Sequence, residues 1–108
     1  MERPLISVIY CLYKEKIEWI RQSVESILNQ TYGLFEFIII CDNPDYQSAV
    51  DLLKEYSSAD PRIRLIVNEE NIGITRSLNK GLELAKGGLI ARMDADDIAL
   101  PERFEKQV

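Results

Sequence analysis

Apolar residues along this chain follow two different spacings in turn, and this pattern predicts alternating strands and helices. Short runs dense in β-branched and aromatic residues are typical of buried strands, and four such runs occupy residues 5–10, 34–40, 63–67 and 89–93. Between them, apolar residues recur every three or four positions, as on one side of a helix. Helices are predicted at residues 15–30, from the turn at 43–45 to about residue 56, at 71–85, and from Pro101 onward. Such alternation with short connections favours an α/β fold, in which helices cover both faces of a parallel sheet.

The packing of two helices can be predicted in more detail. The third helix is expected to begin at Asn71 as its cap, and its inner face is expected to consist of apolar residues at helical spacing: Ile74, Leu78, Leu82 and Ala85. Gly81 lies inside this helix, where glycine costs about 1 kcal/mol relative to alanine. We therefore expect Gly81 to allow close packing on the sheet or on a ligand. Trp19 lies beside the apolar stripe of the first helix and is expected in the core.

The composition restricts the classes of function. The 108 residues suffice for one domain, and 46% of them are hydrophobic, enough for a real core. The net charge of −5, from 13 basic and 18 acidic residues, implies no basic surface and argues against a nucleic-acid partner. The chain contains no His, which excludes His-based acid–base catalysis and His-ligated zinc within it.

Cysteine usage and hydropathy indicate the compartment. Cys11 and Cys41 show no CxxC spacing, so free, buried thiols of a cytosolic protein are expected rather than a disulfide or a metal pair. The longest uninterrupted apolar run, residues 37–41, is too short to span a membrane, and the N-terminus lacks the core of a signal peptide. We expect a cytoplasmic location, with peripheral attachment to the inner face of the membrane as an alternative for a full-length protein.

Polar residues directly follow three of the predicted strands, where parallel sheets bind ligands. They are Tyr13 and Lys14 after the first strand, Asp42 and Asn43 after the second, and the acids of residues 94–97 after the fourth. A random scatter of acids would not favour these positions. The sequence therefore predicts a ligand site at this edge of the sheet.

The acidic cluster is the strongest candidate for chemistry. Asp94, Asp96 and Asp97 lie within four residues, and their charges repel one another unless a cation lies between them. Mg²⁺ and Mn²⁺ take carboxylate oxygens and keep positions open for substrate phosphates, so a metal site for a phosphate-bearing ligand is predicted. The alternative is that Asp96 and Asp97 only shape a turn or cap the following helix.

Several other side chains are candidates for ligand contacts. The Asp42 carboxylate is expected to accept a hydrogen bond from a nucleobase or to serve a second metal; alternatively it caps a helix entered at Pro44. Tyr13 is placed to stack on a base or sugar, and Gly73 to allow close backbone approach at a helix N-terminus, which favours anions. Three cations are candidate phosphate contacts or, alternatively, solvated surface charges: Lys14, Arg76 and Arg92.

Four segments in this order make the chain resemble the N-terminal, nucleotide-binding half of the inverting family 2 glycosyltransferases, which have the GT-A fold with its Rossmann-like sheet. They are SVIYCLY at residues 7–13, EFIIICD at 36–42, NIG with SLNKG at 71–81, and ARMDADD at 91–97 followed by LPER at 100–103. The third is similar to the motif NxGxxxARNxG and the fourth to the DxD metal motif. The resemblance covers essentially the whole chain.

The resemblance implies a donor site for a nucleotide sugar, with a UDP-sugar favoured. Asp42 would contact the nucleobase, while Asp94 and Asp96 would be the acids of the DxD motif and hold the Mn²⁺ or Mg²⁺ that bridges the diphosphate. Further substrate contacts are expected from residues in the matched segments: Tyr13, Gly73, Arg76, Asn79, Arg92 and Asp97.

The chain departs from the family pattern at three places. Cys41 replaces the first of two paired aspartates, so base recognition would rest on Asp42. Leu78 replaces an arginine of the helix motif, and Cys11 with Leu12 replaces a common Pro-Thr pair.

The resemblance also implies that something is missing from these residues. The general base, usually an Asp or Glu well downstream, is expected beyond Val108, together with the half that binds a glycan or lipid-linked acceptor. Residues 1–108 are therefore interpreted as the donor-binding portion of a longer GT-A domain, inactive alone. An uncovered sheet edge invites self-association, so a homodimer is expected.

Other readings of the sequence are less favoured. A nicotinamide-binding Rossmann domain and a P-loop NTPase lack their glycine motifs here. A nucleotidyltransferase would carry a Gly-rich basic loop after the first strand, and a signalling receiver domain would carry paired acids there. A non-catalytic nucleotide-binding module remains the alternative from another class.

Overall fold

A computed structural model of the chain describes residues 3–95 and 97–108, so that Asp96 lies outside the described residues. It contains strands β1 (Ile6–Leu12), β2 (Phe35–Cys41), β3 (Ile63–Val67) and β4 (Leu89–Asp94). Alternating with them are helices α1 (Ile17–Leu28), α2 (Gln47–Ala59), α3 (Ile74–Leu84) and α4 (Arg103–Gln107). No described helix has the length and apolar character needed to cross a membrane.

The four strands form one parallel sheet in the order β3-β2-β1-β4. From β1 the chain builds outward through β2 to β3, and then crosses back to place β4 on the other side of β1. The strand order therefore reverses between β1 and β4, which is where ligands bind in open α/β sheets. This confirms the predicted α/β fold.

Helices cover the sheet on both faces. The larger core cluster joins one face to α1 and α2 through Ile20, Val24 and Leu53, and Tyr10 and Phe37 meet edge to face at its centre, 5.6 Å between ring centroids. A smaller cluster joins Ile9, Cys11, Ile38 and Ile40 on the other face to α3. The second face is thus covered by a single described helix.

Three predicted boundaries were wrong. Residues 57–59 belong to the last turn of α2 and not to a loop. Asn71 does not cap α3, because Gly73 occupies the N-cap position and the Asn71 amide donates instead to Asp42. Pro101 lies in a turn, and α4 begins two residues later, at Arg103.

The predicted inner face of α3 was also wrong in part. Ile74 and Leu82 are 52% and 49% exposed, whereas Ser77 and Gly81 are buried against the sheet. Small residues occupy the contact because the helix lies so close to the strands. A Cβ atom at Gly81 would be 2.7 Å from Cγ2 of Ile9, and this confirms the expected close packing.

The expectation for Trp19 was wrong as well. Its side chain is 44% exposed and lies beside the ammonium of Lys16, which is 5.2 Å from the indole centroid. Because Ile20, the next residue, is the one that turns into the core, Trp19 falls outside the buried stripe of α1.

The two cysteines are free and buried, as predicted. Cys11 belongs to the core cluster under α3, and Cys41 to the cluster under α1 and α2. The two thiols therefore lie on opposite faces of the sheet, where they cannot approach to the Cβ separation that a disulfide requires.

We predict that Gly81→Val lowers the free energy of unfolding by about 2 kcal/mol, since overpacking a tight contact costs about 1–3 kcal/mol. The new side chain would collide with Ile9 and Ile40, which are held in the core. Urea denaturation measures the effect. The matched control is Glu83→Val, on the exposed side of the same helix, with an expected change within about 0.5 kcal/mol. Equal midpoints for the Gly81 variant and the parent would contradict the close contact.

We also predict that iodoacetamide at pH 8 leaves both thiols of the folded chain unmodified while it labels the unfolded chain. Burial raises the pKa of Cys11 to about 11, with Arg92 opposing the shift, and burial also raises the pKa of Cys41; the reactive species is the thiolate. Mass spectrometry counts the labels. Because its pKa is raised, Cys11 binds its proton more tightly in the folded chain than in the unfolded chain. The contribution of this difference to the free energy of unfolding is present below about pH 9 and is lost as the pH rises toward 11. Stoichiometric labelling of the folded chain would contradict the burial.

Candidate functional site

A cavity of about 360 Å³ opens at the carboxyl ends of β1 and β2. Its wall combines the end of β1, the loop after it, Asp42 and the start of α3. The lining residues are Cys11, Leu12, Tyr13, Glu15, Asp42, Asn71, Gly73, Ile74 and Ser77. The structure thus brings together three side chains or backbone positions that the sequence analysis selected in separate segments: Tyr13, Asp42 and Gly73.

The Asp42 carboxylate is the most heavily bonded group at the cavity. It is only 4% exposed. Its Oδ1 accepts hydrogen bonds from Nδ2 of Asn68 and the backbone N–H of Ile72, both at 2.9 Å. Its Oδ2 accepts from Nδ2 of Asn71 at 2.7 Å and the N–H of Gly73 at 2.9 Å. A carboxylate offers about four acceptor positions, so these donors compensate the buried charge and tie residues 68–73 to the end of β2.

The backbone at Gly73 has a conformation that favours glycine. Its φ is +90°, a region in which other residues are strained, while a Cβ atom there would meet no other atom within 4 Å. The glycine is thus required by the turn that joins the Asp42 contacts to α3. Close approach of a ligand to this backbone stays a prediction.

Tyr13 lies at the mouth of the cavity on a fixed backbone. Its N–H donates to Oε1 of Glu15 at 2.6 Å, and its carbonyl accepts from Nδ2 of Asn43 at 3.0 Å. The ring itself is partly exposed. Tyr13 therefore lines the cavity on a fixed backbone, and the Lys14 ammonium lies 5.1 Å from the centroid of its ring.

The acidic turn, which contains Asp94 and Asp97, lies at the carboxyl end of β4. β4 neighbours β1 in the sheet. The N–H of Asp97 donates to the carbonyl of Asp94 at 3.0 Å, and the N–H of Asp94 approaches Oδ2 of Asp97 at 3.4 Å. Nη2 of Arg92 lies 3.4 Å from Oδ1 of Asp94 in an exposed ion pair. Asp96, the other predicted metal ligand, lies outside the described residues.

The donor set of this turn fits a hard divalent cation in chemistry. Asp94 and Asp97 offer exposed carboxylate oxygens within one turn, the ligand type that Mg²⁺ and Mn²⁺ prefer. Among the described residues, no three metal-ligating side chains converge. A cation held by Asp94 and Asp97 would therefore take its remaining ligands from outside the described side chains.

The acidic turn lies beside the cavity, on the strand next to β1. Asp94 pairs with Cys11 in the parallel register of β1 and β4, and Cys11 lines the cavity. The charges of both Asp42 and Asp94 reach this thiol, and each adds to the pKa increase that burial causes. The two parts of the site are consequently neighbours across β1.

Two predicted contacts lie elsewhere. Arg76 and Asn79 are exposed on α3, and neither lines the cavity. The structure places Arg76 in the first turn of the helix and Asn79 one turn further from the site. Any contact between these residues and a ligand stays a prediction.

Four residues that shape the site were not predicted from the sequence. Asn68 and Ser77 are buried, Lys80 contacts Asn68, and Glu15 holds Tyr13. A signal for Asn68 was available, because it directly follows β3 as Asp42 follows β2. Ser77 and Lys80 offered no such signal, since their contacts depend on the way α3 lies on the sheet.

Comparisons with known proteins agree with this architecture. Residues 7–108 match the family model described as Glycosyl transferase family 2. The chain is 49% identical over 107 residues to an uncharacterized glycosyltransferase of Methanocaldococcus jannaschii, covering 99% of this chain and 37% of that protein. It is 39% identical over 105 residues to the amylovoran biosynthesis glycosyltransferase AmsE of Erwinia amylovora, covering 96% and 39%. The chain therefore spans less than half the length of these curated relatives.

Solved structures of GT-A glycosyltransferases share the fold. The mannosyltransferase PcManGT from Pyrobaculum calidifontis, in complex with GDP-Man and Mn²⁺, is 26% identical with a TM-score of 0.75, over 90% of this chain and 29% of that chain. S. aureus TarS, in complex with UDP-GlcNAc, gives a TM-score of 0.83 at 21% identity, over 94% and 29%. At the latter identity the likeness concerns the fold alone. The match over residues 7–108 and the similarity to these relatives show that the chain belongs to glycosyl transferase family 2.

Proposed function

We propose that the chain forms the donor-binding part of an inverting glycosyltransferase that transfers a sugar from a nucleoside diphosphate to an acceptor during polysaccharide or cell-surface glycan synthesis. The observation that carries this proposal is the position of the Tyr13–Asp42 cavity beside the acidic turn, at the strand-order reversal. Family membership supports the transfer reaction. Curated relatives that take part in amylovoran and O-antigen biosynthesis support the glycan context.

The nucleoside would occupy the cavity. Tyr13 offers a ring face on which a planar base can stack, and Leu12 and Ile74 add apolar surface. The four hydrogen bonds to Asp42 fix the wall opposite Tyr13. A preorganised wall reduces the entropy that the ligand and loop lose on binding.

The diphosphate would lie at the acidic turn. Asp94 and Asp97, with Asp96 by resemblance, would hold a Mn²⁺ or Mg²⁺ ion. When bound, such a cation neutralises charge on a leaving diphosphate. Without it, the carboxylates would repel the phosphates, and the net charge of −5 offers no general attraction. Arg92, paired with Asp94, orients that carboxylate and brings a positive charge to the same place.

The choice of nucleotide is part of the proposal. We favour UDP, and we take GDP as the alternative because PcManGT, the solved relative with the higher identity of the two above, was obtained with GDP-Man. The general base and the acceptor-binding surface are proposed to lie beyond residue 108. Turnover is then not expected from this chain alone.

We predict that UDP binds to the chain in the presence of Mn²⁺, and that Asp94→Asn weakens this binding by about tenfold or more, which corresponds to at least 1.4 kcal/mol. The substitution removes a charged ligand from the cation but keeps the side-chain shape. Isothermal titration calorimetry with and without Mn²⁺ measures the affinities. By resemblance, Asp96→Asn is expected to act in the same direction.

The control is Asp45→Asn, which removes the same charge from an exposed aspartate near the end of β2 and away from the acidic turn. It is expected to leave UDP affinity unchanged. Equal binding by the Asp94 variant and the control would contradict the metal role. A failure of both UDP and GDP to bind the parent chain with Mn²⁺ would contradict the proposed donor site.

Self-association is a further part of the proposal. β4 forms one outer edge of the four-strand sheet, and Leu89 and Ile90 on it are exposed. Unpaired edges of this kind template pairing between chains. Light scattering is expected to show a dimer mass as the concentration rises, and a monomer mass throughout would contradict it.

A further inference from the structure

Asn68 is buried, and both polar groups of its side-chain amide have protein partners. It is 2% exposed. Its Nδ2 donates to Oδ1 of Asp42 at 2.9 Å and to Oγ of Ser77 at 3.2 Å, its Oδ1 accepts from Nζ of Lys80 at 2.9 Å, and its backbone N–H donates to the carbonyl of Cys41 at 2.9 Å. One side chain thus links the ends of β2 and β3 to two successive turns of α3.

The loop of residues 68–73 has open space on both sides. On one side lies the nucleoside cavity, and on the other lies a polar cavity of about 580 Å³. Glu69, Glu70 and Asn71 are exposed. With so little packing around it, the loop depends for its position on hydrogen bonds to Asp42 and on the groups that fix Asp42.

Asn68 is the group that fixes Asp42 from the protein side. The other three donors to the carboxylate, at Asn71, Ile72 and Gly73, belong to the loop whose position depends on Asp42. Asn68 is instead anchored by the hydrogen bond from its backbone N–H to the carbonyl of Cys41 in β2, and by Lys80 and Ser77 of α3. The Lys80 ammonium polarises the amide, which strengthens its donation to the carboxylate.

We infer that Asn68 is a positioning residue for nucleoside binding: through Asp42 it sets the position of Gly73 and Ile74, and so the width of the cavity opposite Tyr13. Asn68 does not line that cavity, so its effect on a ligand passes through Asp42 and the loop. The inference rests on the proposed function, since it assigns the cavity to the nucleoside. It predicts that Asn68 affects the binding of the nucleoside but not that of the diphosphate, which the acidic turn would hold.

The test compares UDP with inorganic pyrophosphate, each titrated with Mn²⁺ into the parent chain and into Asn68→Ala. The expected result is a loss of UDP affinity of about tenfold, because a loose loop must be ordered by the ligand. Pyrophosphate affinity is expected to change by less than about twofold, since the turn after β4 keeps its own contacts. A general loss of structure would weaken both ligands alike, and would overturn the inference.

An NMR readout follows the positioning directly. In the parent chain, the Gly73 amide proton is bonded to a carboxylate, and charge-assisted bonds of this kind are short and strong. Asn68→Ala is expected to shift the Gly73 and Ile72 amide resonances while the Asp97 amide in the acidic turn keeps its position. Unmoved Gly73 and Ile72 resonances would overturn the inference, whether or not the parent chain binds UDP.

Lys80→Met serves as the second variant in case Asn68→Ala does not fold. The methionine keeps the aliphatic part of an exposed side chain and removes only the partner of Asn68 Oδ1. A smaller change of the same sign is expected, in UDP affinity and in the Gly73 resonance. Lys54→Met, which removes the same charge from an exposed position of α2, is expected to change neither, and equal behaviour of the two lysine variants would overturn the inference.

If the parent chain fails to bind UDP or GDP, the proposed function fails, while the resonance shifts still decide the role of Asn68.

Discussion

The arrangement of the site depends on one buried negative charge. Burying the Asp42 carboxylate is costly unless donors surround it, and the chain supplies four. Three of them come from residues 71–73, so the charge determines the path of the chain between β3 and α3. The φ of +90° at Gly73 follows from that path. A single side chain at the end of β2 thereby determines the path of residues 71–73, and Asn71 and Gly73 of this segment line the cavity.

The second constraint is the close approach of α3 to the sheet. α3 is the one described helix on its face, and its fully buried residues are the small Ser77 and Gly81, while Leu78 and Leu84 pack beside them only partly buried. Small residues let the backbone come near enough for Ser77 and Lys80 to reach Asn68. The glycine at mid-helix lowers the helix propensity, but it allows the close approach through which Ser77 and Lys80 contact Asn68.

The sequence was sufficient to predict the order and type of the elements, because alternating apolar spacings and short connections leave few topologies. The predicted strand ends were also sufficient to select Tyr13, Asp42 and Asp94 as candidates, whereas Gly73 was selected as a glycine at a predicted helix N-terminus. The face of α3 could not be predicted in full, because Leu78 and Ala85 pack on the sheet whereas Ile74 and Leu82 follow the same apolar spacing and yet lie exposed. Nor could the partners of Asp42: an acid after a strand looks the same whether it meets solvent, a ligand or a loop folded back on it.

The strand order explains why the two halves of the site can serve one ligand. Asp42, Tyr13 and Asp94 follow β2, β1 and β4, which are consecutive in the sheet. Neighbouring strands lie about 4.8 Å apart, so the ends of β2 and β4, on either side of β1, are separated by about 10 Å. The two ends differ in chemistry: the carboxylate after β2 is buried and its charge is stabilised by four N–H donors of the protein, while the carboxylates of Asp94 and Asp97 are exposed, and Arg92 pairs with the first of them. A ligand matches this order if one end is flat and weakly charged and the other is a doubly charged phosphate group that a cation links to the exposed carboxylates. A ligand charged along its whole length does not.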